Sequence, residues 1–282
     1  MPWTKNDLHP LFGSELSGLQ INAALGRRDR NVLKSAVEES GVVVVRGQEL
    51  ADSDLREFAS SLGSLYRAPG IFEKADGVYR ISNVDEDGRI LPADDTLLKF
   101  NISNEFWHTD STYSRPRAMI SFLYARTVPP AGGDTEFCDT RVAYETLSEQ
   151  DKQGLDDLVG HHSLIYSRSL TGFDDWTDEQ REIYAPVPRP LVQVHEGSGR
   201  KALCLASHIC RLDPLPEDEG RTLLTHLMEH ATGQGKVYTH RWSPGDLIMW
   251  DNRCTMHRAR PYAYDRDVRD FRTARILDLA DQ

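Results

Sequence analysis

The stretch "WHTDSTY" (107–113) places a histidine and an aspartate two residues apart. In a helix such residues point to different sides, whereas in a strand they share one face, with Cα atoms about 6.5 Å apart. If the segment is extended, His108 and Asp110 can therefore reach one metal ion from the same side. The same pattern also fits a partly exposed strand residue followed by a turn. Because metal sites are recognised from complete ligand sets, a third ligand is needed to decide.

The stretch "GDLIMWDNRCTMHRARPY" (245–262) offers a third ligand. An apolar strand there ends in "WDN", and His257 follows it, 149 residues after His108. This separation does not suit a zinc finger, but a β-sandwich brings distant strands together. Two histidines and one carboxylate on one face of an ion form the facial triad of non-haem Fe(II) oxygenases, which leaves the opposite positions open for substrate and O₂.

Composition limits the kinds of partner. The chain has 282 residues and a net charge of -11, and its basic residues form no long block before the C-terminal end, which argues against nucleic acid. It contains no run of about 18 apolar residues and no recognisable export signal. The cysteines, at positions 138, 204, 210 and 254, form no CxxC pair and are typical of a reducing compartment. We expect a cytoplasmic protein with a small-molecule partner, without nucleic-acid or membrane binding, and either a monomer or a homo-oligomer.

The spacing of apolar residues and the capping residues predict four helices. The predicted helices cover residues 32–40, ended by Gly41; residues within 51–63, with Ser53 or Asp54 as the cap; residues 140–160 after an Asp139 cap; and a segment that Pro216 opens and that carries residues 223–231. Most of the remaining chain reads as short strands separated by turns. These strands lie at residues 42–46, 78–84, 118–128, in a hairpin over 190–208, and at 236–242, 245–252 and 271–279.

Neither an internal repeat nor a Pro/Gly/Ser linker divides the chain, so one domain over residues 1–282 is the simplest organisation. Many short strands with helical inserts favour a mainly β fold. Within that class, a jelly roll or related barrel is favoured over a doubly wound parallel sheet.

Taken in order, the motifs of this chain resemble the taurine dioxygenase family, and within it most closely the 2,4-dichlorophenoxyacetate and related aryloxyalkanoate dioxygenases. The resemblance spans nearly the whole chain. Its landmarks are "HPLFG" (9–13), "VVRGQ" (44–48), "ISNV" (81–84), "WHTDSTY" (107–113), "VPPAGGDTEFCD" (128–139), "HSLIYSRSLTG" (162–172), "GDLIMWDNRCTMHR" (245–258) and "RDFRTARIL" (269–277). The family implies a double-stranded β-helix, a cupin-like jelly roll, which holds Fe(II) and uses 2-oxoglutarate and O₂ as cosubstrates.

The resemblance also assigns roles to individual residues. It places the iron ligands at His108, Asp110 and His257, the contacts of the distal 2-oxoglutarate carboxylate at Thr135 and Arg269, and a tryptophan near the iron at Trp250. An arginine suits that carboxylate because its planar fork of donors grips two oxygens at once.

One departure from the family pattern concerns a second arginine. Many members place it four residues after the first, whereas this chain has Thr273 there and an arginine two residues later, Arg275. Arg275 is therefore a candidate for the second anchor beside the cofactor. The shift weakens any transfer of sulfonate binding from taurine-type enzymes.

The reaction that the family implies is hydroxylation of a small organic acid coupled to release of succinate and CO₂. If the hydroxylated carbon carries an ether oxygen, the product collapses and the ether is cleaved. Candidate substrate contacts are Lys99, Ile102, Asn104, Phe106, Tyr166 and Arg168, each of which also fits a core or surface position. The pattern suggests Asn252 and Ser111 as residues that orient the metal ligands.

Other functions stay open from the sequence. The same oxygenase chemistry could act on a sulfonate, an amino-acid derivative or a secondary metabolite. A His₂Asp cage also permits a zinc hydrolase, but Thr135 and Arg269 would then have no ligand to hold. A non-catalytic β-sandwich binding protein would not need an intact set of metal ligands.

Overall fold

The computed structural model describes residues 3–22, 25–68 and 76–281. The helices in these ranges are α1 (Arg27–Ser40), α2 (Asp52–Leu62), α3 (Thr96–Ile102), α4 (Thr140–Glu145), α5 (Glu149–Lys152), α6 (Leu164–Ser169), α7 (Asp178–Ile183) and α8 (Glu217–Ala231). The strands are β1 (Thr4–Asp7), β2 (Ser14–Ser17), β3 (Val42–Val45), β4 (Val78–Ser82), β5 (Ala118–Thr127), β6 (Thr135–Asp139), β7 (Val159–His162), β8 (Val187–Pro190), β9 (Val192–His195), β10 (Arg200–Leu203), β11 (Ile209–Asp213), β12 (Tyr238–His240), β13 (Leu247–Asp251), β14 (Thr255–Ala259) and β15 (Asp270–Leu277). None of the helices in the described ranges is long and apolar enough to cross a bilayer.

Seven strands form the larger sheet, in the order β1-β2-β3-β13-β5-β15-β4. Strands β2 and β3 run parallel, and the other neighbours in this sheet are antiparallel. The register places Trp250 of β13 opposite Val42 of β3 and Ser121 of β5. Because side chains alternate between the two faces of a strand, this register decides which residues point toward the interior of the protein.

Strand β3 shows why the central strands read as continuous apolar runs. Val43 and Val45 pack in the cluster that joins α1 and α2 to the larger sheet, whereas Val42 and Val44 pack on the opposite face with residues of β6 and β13. All four valines are fully buried. A strand that is covered on both faces loses the alternation of apolar and polar residues.

The second layer contains a sheet in the order β12-β6-β14 and two smaller sheets, β11-β7-β8 and β10-β9. Phe137 of β6 points toward the larger sheet, where it packs with Trp250 and Phe271. Met256 of β14 packs on the other side of this layer with Leu227 of α8. The two layers therefore form a β-sandwich with helices on both outer sides. The residues of β14 on either side of Met256 point into the interior of this sandwich.

Several predictions from the sequence are confirmed. The chain is mainly β with helical inserts, and the predicted hairpin is the antiparallel pair β9 and β10. Helix α1 ends before Gly41, whose φ of 75° is a conformation that glycine adopts readily. Asp139 caps α4, since its carboxylate accepts the backbone N–H groups of Arg141 and Val142.

Other predicted boundaries are wrong. Helix α2 has Ala51 as its N-cap, and Asp54, in the first turn, accepts the Ala51 N–H at 2.8 Å. The segment after Asp139 is not one helix: α4 ends at Glu145, and Ser148 caps the separate helix α5. Gly154 follows with a left-handed φ of 79°, which an α-helix cannot contain.

Candidate active site

His108 and His257 lie side by side because their backbones form an isolated antiparallel bridge. The His108 N–H donates to the His257 carbonyl at 3.0 Å, and the His257 N–H donates to the His108 carbonyl at 2.8 Å. The two imidazole centroids are 4.2 Å apart. Main-chain pairing thus joins two residues that are far apart in the sequence.

Asp110 completes the group. Its Oδ1 lies 3.9 Å from His108 Nε2 and 4.0 Å from His257 Nε2. One ligand atom from each of these three buried residues lies within 4.8 Å of the other two. Three donors that bind one ion at about 2 Å lie about 3 to 3.5 Å apart, so this set is slightly wider than a loaded site and needs only small side-chain shifts to bind a single transition-metal ion.

The protonation states of the three residues also suit a metal. The Nδ1 of His108 lies 2.8 Å from the Phe106 carbonyl, which makes this nitrogen the donor and leaves Nε2 with its lone pair. Burial lowers the pKa of His108 and lowers the pKa of His257 to about 3. Burial opposes ionisation of Asp110, but the Arg275 guanidinium and the hydrogen bond from Ser121 favour the carboxylate, and the pKa of this carboxyl lies well below its usual range. The site therefore presents two neutral imidazoles and one carboxylate.

Ser121 of β5 and Asn252, which directly follows β13, hold Asp110 in place. Ser121 donates its hydroxyl to Asp110 Oδ2 at 2.6 Å, and the Asn252 side-chain carbonyl accepts the Asp110 N–H at 3.3 Å. Asn252 in turn donates to Ser121 at 2.8 Å and accepts the Trp250 indole N–H at 2.9 Å. The predicted contact of Asn252 is thus present. The Ser111 hydroxyl, by contrast, is buried without a hydrogen-bond partner among the described residues.

Replacing Ser121 by alanine is expected to weaken Mn(II) or Fe(II) binding about 10- to 100-fold, because the carboxylate loses the hydrogen bond that orients it. Anaerobic calorimetric titration measures this change, and thermal denaturation checks that the fold is retained. Ser111→Ala is the matched control, since it removes a buried hydroxyl that makes no hydrogen bond in the described structure. Equal losses of metal affinity in both variants would contradict the orienting role of Ser121.

A cavity of about 580 Å³ opens beside the three ligands. Its volume is typical of sites for small organic molecules, which span about 300–1,000 Å³. His108, Asp110 and His257 all line it. Part of its wall is apolar and is formed by Ile81, Leu91, Leu97 and Phe100.

The residues that the resemblance places near 2-oxoglutarate lie on the same cavity. Thr135, Trp250, Arg269 and Arg275 all line it. The Trp250 ring packs on the His257 ring with centroids 4.6 Å apart. This arrangement brings every residue predicted to contact the metal or the cosubstrate to one site.

The candidate substrate contacts divide into two groups. Asn104 and Arg168 line the cavity, whereas the other four do not: Lys99, Ile102, Phe106 and Tyr166. Lys99 is exposed, because successive helical residues point about 100° apart and Leu98 is the buried residue of α3. The alternative of a solvated lysine therefore fits its position.

Arg269 is a buried cation at one end of the cavity, 6% exposed. Its Nε donates to the Gly133 carbonyl at 3.4 Å, and its guanidinium carbon lies 3.8 Å from the centroid of the Phe271 ring. Burial lowers the pKa of Arg269 to about 10, since no carboxylate of the described residues forms an ion pair with it. Thr135, on the same cavity, accepts the Trp242 indole N–H at 3.0 Å. A ligand carboxylate would balance the charge of Arg269.

Thr273 and Arg275 line the cavity from β15. Arg275 approaches Asp110, with its Nε 3.3 Å from Oδ2 and its Nη2 3.5 Å from Oδ1. Thr273 carries no charge and is 2% exposed. The assignment of Arg275 as a second anchor stays a prediction, and its charge is already opposed by a metal ligand.

Ser121 and His208 belong to the site, although the sequence motifs do not identify them. Ser121 is a polar residue between Ile120 and Phe122 in a strand buried on both faces, and a serine in such a run is a signal that could have identified it. His208 is 1% exposed and lines the cavity, with its ring centroid 5.8 Å from that of His108. Nothing in its sequence context distinguishes it from the other histidines.

A second group of possible metal ligands consists of His195, Asp251 and Cys254. Asp251 is already paired, with Arg253 at 2.7 Å and with His195 at 3.0 Å. A guanidinium fixed on the carboxylate repels a further cation. We therefore interpret this group as a structural link between β13 and β9.

Comparisons with known proteins agree with the geometry of the site. Residues 4–275 match the family described as taurine catabolism dioxygenase TauD, TfdA family. The chain is 41% identical over 282 residues to the alpha-ketoglutarate-dependent 2,4-dichlorophenoxyacetate dioxygenase of Cupriavidus pinatubonensis, which covers 98% of both chains. It is 36% identical over 267 residues to the (S)-phenoxypropionate/alpha-ketoglutarate-dioxygenase of Sphingobium herbicidovorans, covering 91% of this chain and 90% of that one.

Solved structures of related dioxygenases superpose closely on this chain. The crystal structure of AAD-2 in complex with Mn(II) and N-oxalylglycine superposes with a TM-score of 0.92 at 38% identity, covering 99% of this chain and 98% of that one. A taurine dioxygenase from Burkholderia xenovorans superposes with a TM-score of 0.79 at 25% identity, over 98% of this chain and 90% of that one. The jelly-roll fold implied by the sequence resemblance is thereby confirmed.

Proposed function

We propose a substrate class for this chain, which belongs to the taurine catabolism dioxygenase TauD, TfdA family. The chain is an Fe(II)/2-oxoglutarate-dependent dioxygenase, an oxidoreductase with O₂ as the second cosubstrate. Its substrate, we infer, is a small aryloxyalkanoate-like carboxylate that is hydroxylated at the carbon beside the ether oxygen. The similarity along the whole chain to dioxygenases named for 2,4-dichlorophenoxyacetate and (S)-phenoxypropionate carries this inference.

The cavity has both apolar and cationic lining residues, and this combination supports the proposed substrate class. Leu91, Leu97 and Phe100 provide apolar surface of the kind that an aryl ring packs against, and buried guanidinium groups line the same space. An arylalkanoate carries one apolar ring and one carboxylate. A purely apolar substrate would leave the buried cations without a partner, which is costly in a desolvated site.

In this proposal, His108, Asp110 and His257 hold Fe(II), while Thr135 and Arg269 bind the distal carboxylate of 2-oxoglutarate. When bound, Fe(II) would supply the redox chemistry by which the keto acid and O₂ oxidise a substrate C–H bond. The chain orients the metal ligands through backbone pairing and hydrogen bonds, and it balances the charge of the cosubstrate. The buried wall of the cavity excludes water from the reacting groups.

The overall reaction consumes one substrate, one 2-oxoglutarate and one O₂. One oxygen atom enters succinate as CO₂ leaves, and the other becomes the hydroxyl group on the substrate. With an aryloxyacetate the product is a hemiacetal, and with a 2-aryloxypropionate it is a hemiketal. Either collapses to a phenol and a 2-oxo acid, so that ether cleavage follows from hydroxylation without a further oxidant.

We place the protein in the cytoplasm, because its cysteines at 138, 204, 210 and 254 are free thiols. Assembly into a homo-oligomer stays a prediction. A sulfonate or sulfate ester is the alternative substrate class, and Thr273, which stands where many members have a second arginine, disfavours it. The zinc hydrolase and the non-catalytic binding protein do not agree with the family to which the chain belongs.

A substrate panel tests the proposed class. We expect phenoxyacetate, 2,4-dichlorophenoxyacetate and the two enantiomers of 2-phenoxypropionate to stimulate succinate formation with kcat/KM at least about tenfold above that of taurine or an alkyl sulfate, because only the former match the ring and carboxylate. Phenol release, measured in the same samples, reports ether cleavage. A sulfonate or sulfate ester that exceeds every aryloxyalkanoate would overturn the substrate class and leave the reaction class unchanged.

A further inference from the structure

Arg168 is a second buried cation without a direct ion-pair partner among the described residues, although the more distant Asp110 carboxylate attracts it. It is 5% exposed, and no carboxylate of the described residues forms an ion pair with it. Its Nη2 donates to the Asn104 side-chain carbonyl at 3.3 Å, and its Nε is buried without an acceptor in the described structure. The guanidinium carbon lies 4.0 Å from the centroid of the Phe100 ring. Burial lowers the pKa of Arg168 to about 10.

The cavity has other arginines, but their charges are opposed. Arg275 contacts Asp110 at 3.3 Å. Arg80 donates to the backbone carbonyls of Val84 and Asp85 at 2.9 and 2.8 Å, and it lies 3.9 Å from Asp270. Among the arginines that line the cavity within the described ranges, Arg168 and Arg269 are therefore the two without a carboxylate partner.

These two cations without ion-pair partners match the two anionic reactants. Arg269 directly precedes β15 and is assigned to the distal carboxylate of 2-oxoglutarate, whereas Arg168 belongs to α6 and lines the same cavity from a different element. A guanidinium that is buried without a partner is destabilising, so such a position is typical of a site that a ligand completes. Thr273 cannot perform this role because it has no charge.

We propose that Arg168 binds the carboxylate of the oxidised substrate, and that the anchor supplied by β15 in many members of the family is supplied here by α6. This inference rests on the proposed function. Asn104 and Phe100 hold the guanidinium in place, and its remaining N–H donors bind the carboxylate oxygens. The pair would fix the substrate at one end, with its ether carbon toward the metal ligands.

The alternative to substrate binding is a purely structural role for Arg168. In that case Arg168 would serve to join α6 to the segment that carries Phe100 and Asn104, and its removal would affect all ligands alike. The two roles differ in their dependence on the charge of the substrate. The test therefore compares phenoxyacetate with phenoxyacetamide, which has the same ring and ether but no negative charge.

We expect Arg168→Gln to raise the KM for phenoxyacetate about 10- to 100-fold and to leave the KM for phenoxyacetamide within about twofold. The Kd of 2-oxoglutarate, measured by anaerobic titration, should stay within about twofold as well. Arg181→Gln is the control: it removes an exposed arginine of α7 that pairs with Asp174 at 2.9 Å, and it should change none of these values. Arg168→Met should not lower the Tm, because a buried cation without a partner is removed.

Three results would overturn the proposal. They are an equal rise in KM for the acid and the amide, a rise confined to 2-oxoglutarate, and a large loss of Tm in Arg168→Met. Failure of the proposed function is recognised separately, when the wild-type enzyme turns over no aryloxyalkanoate. Calorimetric titration of phenoxyacetate into anaerobic protein loaded with Fe(II) and 2-oxoglutarate then decides: binding that Arg168→Gln abolishes supports the anchor, and binding that is absent or unchanged overturns it.

Discussion

Enzyme carrying His108→Ala is expected to form succinate at least about 10³-fold more slowly than the wild type, because the metal loses one of three protein ligands and with it the centre at which the reaction occurs. The fold should persist, since alanine retains the backbone groups that pair with His257. Coupled succinate formation measures the rate, and calorimetry with Mn(II) measures the accompanying loss of metal affinity.

His226→Ala is the matched control for this variant. His226 is exposed on α8, where its Nε2 lies 3.5 Å from Asp151, and its removal should leave turnover and metal binding unchanged. The circular dichroism spectrum of His108→Ala should match that of the wild type. Turnover near the wild-type rate would exclude His108 as a ligand, and loss of the native spectrum would indicate a structural role instead.

Arg269→Ala is expected to raise the Kd of 2-oxoglutarate about 30- to 1,000-fold, because removal of one partner from a buried, hydrogen-bonded charge pair costs several kcal/mol. Arg269→Lys should recover part of the loss, since an ammonium group supplies the charge but not the planar fork. The affinity for Mn(II) should be unchanged, because Arg269 contacts none of the three ligands in the described structure. Anaerobic titration measures both constants.

Arg266→Ala serves as the control for this position. Arg266 is exposed in the loop that precedes β15, so its removal should leave the affinity for 2-oxoglutarate unchanged. A comparable loss of affinity in Arg266→Ala would point to a general electrostatic effect. An unchanged affinity in Arg269→Ala would place the distal carboxylate elsewhere in the cavity.

Local sequence patterns predicted the parts of the fold in which a single local requirement, such as burial on both faces or the end of a helix, dominates. The valine run of β3 is buried on both faces and reads clearly as a central strand. Gly41 and Asp139 identify helix ends because the backbone conformation and the capping hydrogen bonds there are local properties. The pair His108 and Asp110 could be recognised from its spacing, but only the bridge at His108 is extended, because a turn begins at Asp110.

The remaining features depend on tertiary contacts that no local pattern contains. The hydrogen bond from Ser121 to Asp110 follows from the register of β5 against β13, which also brings Asn252 to the same carboxylate. The exposure of Lys99 follows from which side of a seven-residue helix faces the cavity. That Arg168 lacks an ion-pair partner among the described residues becomes visible only when the carboxylates near it have been located.

The reciprocal main-chain pairing of His108 and His257 has a consequence for how the centre is assembled. Because backbone hydrogen bonds join His108 to His257, strand pairing contributes to the distance between the two rings independently of the ion. In zinc fingers, by contrast, the metal is needed for the chain to fold at all. We therefore expect that iron lost to a chelator or through oxidation is replaced in the folded apoprotein, without a cycle of denaturation.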